Sequence, residues 1–257
     1  MQRPGVAPAF VLLLKFIEGK LSIPFRSSSI FQDYYLIHLC KVNTTKMKTA
    51  VNSTLISKGD YKKYLQKGIS YQQYKKQMAE DLELNPDLKT KEYIHLNQRR
   101  MLRVEKTYLP GETMVSQVKS LKLKTYWLVL TEHWCGDASQ TLPALHALEA
   151  LSEGKIEMKL VYRDQNAALM NAYLTNGTRS IPKLIQLDEH FIVTGIWGPR
   201  PTVAQKLVKE LKSNPATAST YANALHGWYA KDKQQALEEE ISKLLSWVNL
   251  ICPDCLS

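Results

Sequence analysis

This chain has few cysteines and no apolar run of membrane-spanning length. The first absence argues against a disulfide-stabilised scaffold, and the second against a membrane-spanning protein. Four cysteines in 257 residues are too few for a disulfide-stabilised scaffold of this length, so we predict a reducing, cytoplasmic compartment. The apolar stretch over residues 6–17 is interrupted by Lys15, whereas about 20 apolar residues are needed to cross a bilayer. We therefore expect no membrane partner.

Internal repeats, low-complexity segments and nucleic-acid-binding motifs are also missing. Hydrophobic residues make up 44% of the chain and charged residues 23%, as in ordinary globular proteins. The net charge of +10 raises the question of nucleic-acid binding, but the lysines are spread along the chain rather than gathered in one patch. Solvated helix faces explain such a distribution, and we predict no nucleic-acid partner. The lysine-rich stretches are 58–76, 89–106, 119–124 and 206–212.

The first 46 residues differ in pattern from the rest of the chain. Arg3 precedes the apolar stretch, as in a secretory signal, but Glu18 and Lys20 follow it without a small-residue cleavage site. Met47 resembles a natural start. We therefore predict that residues 1–46 form a poorly ordered extension that adds nothing to the fold. A degraded export signal is the alternative, and it would make the protein exported.

Helical periodicity dominates the following segment. Ser57 and Ser70 are candidate N-caps, and an aromatic stripe at helical spacing predicts a packing face. This stripe contains Tyr61, Tyr64, Leu65, Tyr71, Tyr74 and Met78. Helices are predicted over 57–88, 91–108 and 112–121, with breaks at Pro86 and at Pro110. We assign residues 47–111 to a helical N-terminal addition.

Short apolar strands alternate with helices from residue 125 onwards. Strands are predicted over 126–130, 156–162, 183–187 and 191–196, and helices over 139–151, 167–174 and 202–211. This order predicts an α/β domain over 112–212, whose first two strands are parallel. Two amphipathic helices, over 218–229 and 234–250, form the predicted C-terminal addition over 213–257.

Cys135 is the candidate catalytic residue, because it lies between a predicted buried strand and a long helix. Unpaired N–H groups and the dipole at a helix N-terminus favour the thiolate, which is the nucleophilic form of cysteine. Asp137, two residues on, opposes a second negative charge and would raise the cysteine pKa. The sequence leaves this competition open. His133 could tune the thiolate as a cation, although a partly exposed loop histidine without a role is the simpler interpretation.

Three segments together resemble the thioredoxin superfamily over about residues 112–212. Trp134–Gly136 matches the start of its Trp-Cys-Gly-Pro-Cys turn, and Arg179–Pro182 matches the segment with its cis-proline. Asp164–Asn166, after the second strand, is also similar. The variant turn and the N-terminal helices resemble a divergent, bacterial-type thioredoxin family protein. This resemblance implies a thioredoxin-like three-layer sandwich with a central mixed β-sheet, flanked here by the helical N- and C-terminal additions.

The resemblance also implies roles for individual residues. Pro182 would be cis and would face Cys135, and Ile181 would offer its backbone to an extended substrate. Trp134 and Gly136 would complete this substrate-binding groove. The partners so implied are disulfides and thiols of proteins or small molecules.

Three departures from the family pattern limit the chemistry. Ala138 stands where the resolving cysteine would be, Asp137 replaces the proline of the turn, and Val129 replaces a buried aspartate. A two-cysteine cycle cannot run within this turn, so a mixed disulfide on Cys135 would need another thiol. We predict monothiol thiol–disulfide exchange, as by an oxidoreductase that lacks its resolving cysteine. The alternative is a non-catalytic module that holds partner proteins in the groove beside Pro182.

The remaining candidates are weaker. Cys252 and Cys255 have the spacing of a redox dithiol or of half a zinc site, but no second pair completes such a site, so no metal and no cofactor are predicted. The pair either has no function or supplies the missing resolving thiol, and Cys40 is given no role. Arg200 could bind a carboxylate or stabilise a thiolate, although a plain turn before the final helix is the preferred interpretation. Gly198 would allow a close backbone approach, and the oligomeric state is not predicted.

Overall fold

The computed structural model describes residues 56–250, which form nine helices and four strands. The predicted extension over 1–46 and the pair Cys252 and Cys255 lie outside these residues, as does Cys40. The helices are α1 (Lys58–Lys67), α2 (Tyr71–Leu84), α3 (Leu88–Thr107), α4 (Glu112–Lys119), α5 (Gly136–Leu151), α6 (Ala167–Ala172), α7 (Thr202–Ser213), α8 (Tyr221–Asp232) and α9 (Gln235–Leu250). The strands are β1 (Thr125–Thr131), β2 (Ile156–Tyr162), β3 (Lys183–Asp188) and β4 (Val193–Trp197).

The strands form one mixed sheet in the order β2-β1-β3-β4, with helices on both sides. β1 and β2 are parallel, as predicted, whereas β3 is antiparallel to both β1 and β4. The predicted α/β class with a central mixed sheet is therefore confirmed. β4 begins at Val193 rather than at residue 191, because the Asp188 carboxylate accepts the N–H groups of His190 and Ile192 and thereby extends the turn.

Two capped helices replace the single helical region predicted over 57–88. Ser57 and Ser70 each form a capping box at the start of α1 and α2, as their positions predicted. Between these helices, Ile69 exchanges two backbone hydrogen bonds of 2.9 Å with Leu160 in β2. This isolated bridge ends α1 and fastens the N-terminal helices to the edge of the sheet.

One apolar core joins the N-terminal helices to the sheet. Residues 127–130 of β1 are fully buried, as are Leu142, Leu145 and Leu148 of α5. The predicted aromatic packing face is confirmed, because Tyr61, Leu65, Tyr71, Tyr74 and Met78 are all buried and Tyr64 is partly buried against the same core. Within residues 56–250, no helix is long and apolar enough to cross a membrane.

The last helix crosses the sheet from the Cys135 end towards the opposite end. Near its start, Gln234 donates a hydrogen bond to the carbonyl of Gln140, in the second turn of α5. Further along, Gln186 of β3 donates to the Leu244 carbonyl and accepts from the Trp127 indole, each at 3.0 Å. Gln186 thus connects the two central strands to α9.

Gln186→Leu should reduce the free energy of unfolding by about 1–3 kcal/mol, because it leaves the buried Trp127 indole N–H without an acceptor. Gln235→Leu is the matched control, since Gln235 is exposed at the start of α9, and we expect it to change stability by no more than about 0.5 kcal/mol. Urea denaturation measures both. Equal losses in the two variants would contradict this role for Gln186.

Candidate functional site

Cys135 is the N-cap of α5, at the end of the loop that follows β1. Its Sγ accepts the Ala138 N–H at 3.5 Å and donates to the Ile181 carbonyl at 3.3 Å. The peptide bond between Ile181 and Pro182 is cis. Two segments that are 46 residues apart in sequence therefore meet at the sulfur.

Burial decides the state of this thiol. Cys135 is only 6% exposed, and burial, followed by the negative charge of Asp137, raises its pKa to about 12. The N–H groups of Ala138 and Asp137 and the charge of Arg200 favour the thiolate, but they offset only part of this effect. The resting sulfur at neutral pH is therefore a thiol. Of the two opposing effects that the sequence left open, burial and the Asp137 charge outweigh the helix N-terminus.

Asp137 is itself buried and is held by residues from two distant elements. Arg200 forms a bidentate ion pair with its carboxylate, in which Nε lies 2.9 Å from Oδ1. Tyr229 of α8 donates its hydroxyl to the same Oδ1 at 2.8 Å. The plain-turn interpretation of Arg200 was wrong, because the residue binds a carboxylate, and that carboxylate comes from the turn itself. We call these three residues the Asp137 clamp.

The C-terminal addition covers the turn through α8. A Cβ at Gly136 would lie 2.9 Å from the His226 imidazole, so a side chain there would displace this ring. His226 also contacts the Gln140 amide at 3.1 Å. Burial, and next the charge of Arg100, lowers the pKa of His226 to about 4, so this ring is neutral at neutral pH. Sequence reasoning missed His226 and Tyr229, because their periodicity indicated only an amphipathic helix.

His133 differs from both expectations for it. The prediction of a partly exposed histidine was wrong, because His133 is only 7% exposed. Its Nδ1 lies 2.8 Å from an Asp81 carboxylate oxygen, and its Nε2 lies 2.9 Å from the Tyr162 hydroxyl. Burial lowers its pKa even though Asp81 acts in the opposite direction, which argues against a cation that tunes the thiol. His133 instead fixes the loop before Cys135 against α2 and β2.

The four predicted substrate-binding residues are not equally accessible. Trp134 and Gly136 are partly buried, and the Arg163 guanidinium lies 4.8 Å from the Trp134 ring centre. Ile181 and Pro182 are buried. The predicted close approach at Gly198 is confirmed, because its φ is +113° and a Cβ there would collide with the Pro182 carbonyl oxygen.

The comparison with known families agrees with this arrangement. The sequence model of one family, described as Thioredoxin, matches residues 84–212, which is half of the chain. The chain belongs to the thioredoxin family. The matched segment includes Cys135, Pro182 and Arg200, whereas α8 and α9 lie outside this thioredoxin match.

Two solved structures are similar to this thioredoxin-family chain. A protein of unknown function from Pseudomonas aeruginosa is 19% identical, covers 74% of this chain and 96% of its own, and has a TM-score of 0.49. An HIV epitope scaffold is 18% identical, covers 68% of this chain and 98% of its own, and has a TM-score of 0.42. No curated protein matches the chain.

Asp137→Asn should lower the pKa of Cys135, because it removes a negative charge beside the sulfur and leaves Arg200 without its partner. The pH midpoint of iodoacetamide alkylation, followed by intact mass, measures this shift. We expect alkylation at pH 8 to be at least about tenfold faster than in the wild type, which corresponds to a pKa lower by one. Asp164→Asn is the matched control, since Asp164 is exposed. An unchanged midpoint in Asp137→Asn would contradict this electrostatic account.

Proposed function

We propose that this thioredoxin-family protein carries out monothiol thiol–disulfide exchange through Cys135 and that its resting state is closed. The observation that carries the proposal is the position of Sγ between the Ala138 N–H at the helix start and the Ile181 carbonyl before Pro182. A sulfur at a helix N-terminus can be stabilised as a thiolate once the site opens to solvent. The substrate class is a disulfide of a protein or of a small molecule.

The exchange has two balanced steps. Deprotonated Cys135 attacks one sulfur of the substrate disulfide, a mixed disulfide forms, and the second substrate sulfur leaves as a thiolate that takes up the proton given up by Cys135. A second thiol, as its thiolate, then attacks the substrate sulfur of the mixed disulfide; a new disulfide forms between the two, and Cys135 leaves as a thiolate that takes up the proton given up by the second thiol. Ala138 cannot supply this second thiol.

The course of α9 favours an external thiol over the tail of the same chain. α9 starts beside Gln140 and rises by about 22 Å over its length, away from Cys135. Cys252 lies two residues beyond Leu250 and Cys255 five residues beyond it. Because α9 leads away from Cys135, we propose a small-molecule thiol or a partner thiol as the resolving group.

Opening must involve the Asp137 clamp. Cys135 is 6% exposed, and His226 of α8 packs against the next residue, Gly136, so we propose that α8 must move before a substrate disulfide reaches Sγ. Tyr229 connects α8 to Asp137 by a hydrogen bond. Loss of this bond should therefore increase the fraction of time during which the sulfur is accessible.

A non-catalytic binding module is the second candidate. The observation that favours it is the burial of the thiol, which raises its pKa to about 12. In that case Cys135 is a core residue, and partners would be held without covalent chemistry.

Adduct formation separates the two candidates. After a pulse of oxidised glutathione at pH 8, the wild type should carry a mixed disulfide on Cys135, identified by intact mass and peptide mapping, that persists until dithiothreitol is added. Tyr229→Phe should form this adduct several-fold faster, since about 1 kcal/mol of hydrogen bonding is lost. Tyr221→Phe on the same helix is the matched control.

The variants define the other outcomes. Cys135→Ser should lack the adduct, and Cys252→Ser/Cys255→Ser should retain it with unchanged persistence. An adduct that persists only in the tail variant would assign the resolving thiol to the tail. If no variant forms a Cys135 adduct, the exchange proposal fails and the binding module replaces it.

A further inference from the structure

A cavity of about 440 Å³ lies among residues of β3, β4, α7 and α9. Its volume is within the range of small-molecule pockets. Cys135 does not line it. Residues of its wall include Lys183, Ile196, Trp197, Arg200, Glu240 and Lys243.

Lys183 is the unusual member of this wall. It is only 4% exposed, and its Nζ contacts two neutral oxygens, Thr175 Oγ1 at 2.5 Å and the Gly198 carbonyl at 3.5 Å. Within residues 56–250, no carboxylate lies within 4.0 Å of Nζ. A buried ammonium without a counter-ion is unfavourable, and its burial lowers the pKa of Lys183 to about 8.

The acidic groups near the cavity are already engaged by other donors. Glu240 accepts the Trp197 indole N–H at 2.6 Å and the Thr202 backbone N–H at 2.7 Å. Asp137 is paired with Arg200. Lys243 adds a further positive charge at an exposed position of the wall. The cavity therefore has an excess of positive charge, and the buried part of that excess is on Lys183.

The wall also has an apolar side. Ile196 is 43% exposed although it belongs to a strand, and it lines the cavity together with Trp197, the next residue of β4. A ligand that has an acidic group and an apolar portion would complement both sides.

We propose that this cavity binds a small organic anion, with a carboxylate or phosphate paired to Lys183 and an apolar portion against Ile196 and Trp197. The proposal does not depend on thiol exchange, because Cys135 is not among the residues that line the cavity. A bound acid would give the buried ammonium the counter-ion that it lacks.

Benzoate, phenyl phosphate and benzamide are the probes, because they share a ring and differ in charge. Titration is followed by the Trp197 indole N–H resonance in NMR spectra. We expect saturable shifts with benzoate or with phenyl phosphate and none with neutral benzamide, and the tighter of the two anions identifies the acid group. Lys183→Met should weaken that binding by at least about tenfold, as loss of a buried charge partner does. Lys209→Met, at an exposed position of α7, should leave it unchanged.

The titration of Lys183 in the wild-type protein gives a second readout that needs no variant. Saturating anion should raise the pKa of Lys183 clearly above about 8, as ¹³C-lysine NMR would show. The proposal is overturned if neither anion binds at millimolar concentration, if benzamide binds equally well, or if the pKa of Lys183 stays unchanged at saturation.

Discussion

A carboxylate buried two residues after the cysteine must be paired, and this requirement organises the site. Asp137 is 7% exposed, and a buried charge without partners would be strongly destabilising. Arg200 and Tyr229 supply those partners. Because Arg200 follows β4 and Tyr229 belongs to α8, pairing Asp137 draws the end of the sheet and the C-terminal addition onto the turn.

The same pairing accounts for the closed thiol. A cysteine at the start of a helix is ordinarily more acidic than a free thiol, but here Cys135 is only 6% exposed and α8 packs against the neighbouring Gly136. Burial and the charge of Asp137 then outweigh the helix N–H groups and raise the pKa of Cys135. In the proposed exchange, reactivity would follow from opening of the Asp137 clamp, and an outside thiol would complete the cycle because Ala138 cannot.

Local patterns predicted the order of strands and helices and the approach of the Cys135 and Pro182 segments. They did not predict that α8 packs against the Cys135 turn. The strand and helix order follows from short-range periodicity, and the family resemblance of the Trp-Cys-Gly and Ile-Pro segments predicted that Pro182 faces Cys135. Tyr229 and His226 reach the turn through contacts that span about 90 residues, and nothing in an amphipathic pattern specifies such a contact. The burial of His133 and Lys183 is likewise a tertiary effect, because local sequence predicts only a loop for the first and a strand for the second.

The S–H stretching band of Cys135 tests the central claim most directly. The infrared difference spectrum between wild type and Cys135→Ser at pH 7 isolates this one thiol from the other three cysteines. The account predicts a clear S–H band, at lower frequency than that of an exposed thiol because the group donates to the Ile181 carbonyl. A difference spectrum without an S–H band at neutral pH would mean that Cys135 is a thiolate, and it would contradict the closed, protonated resting state.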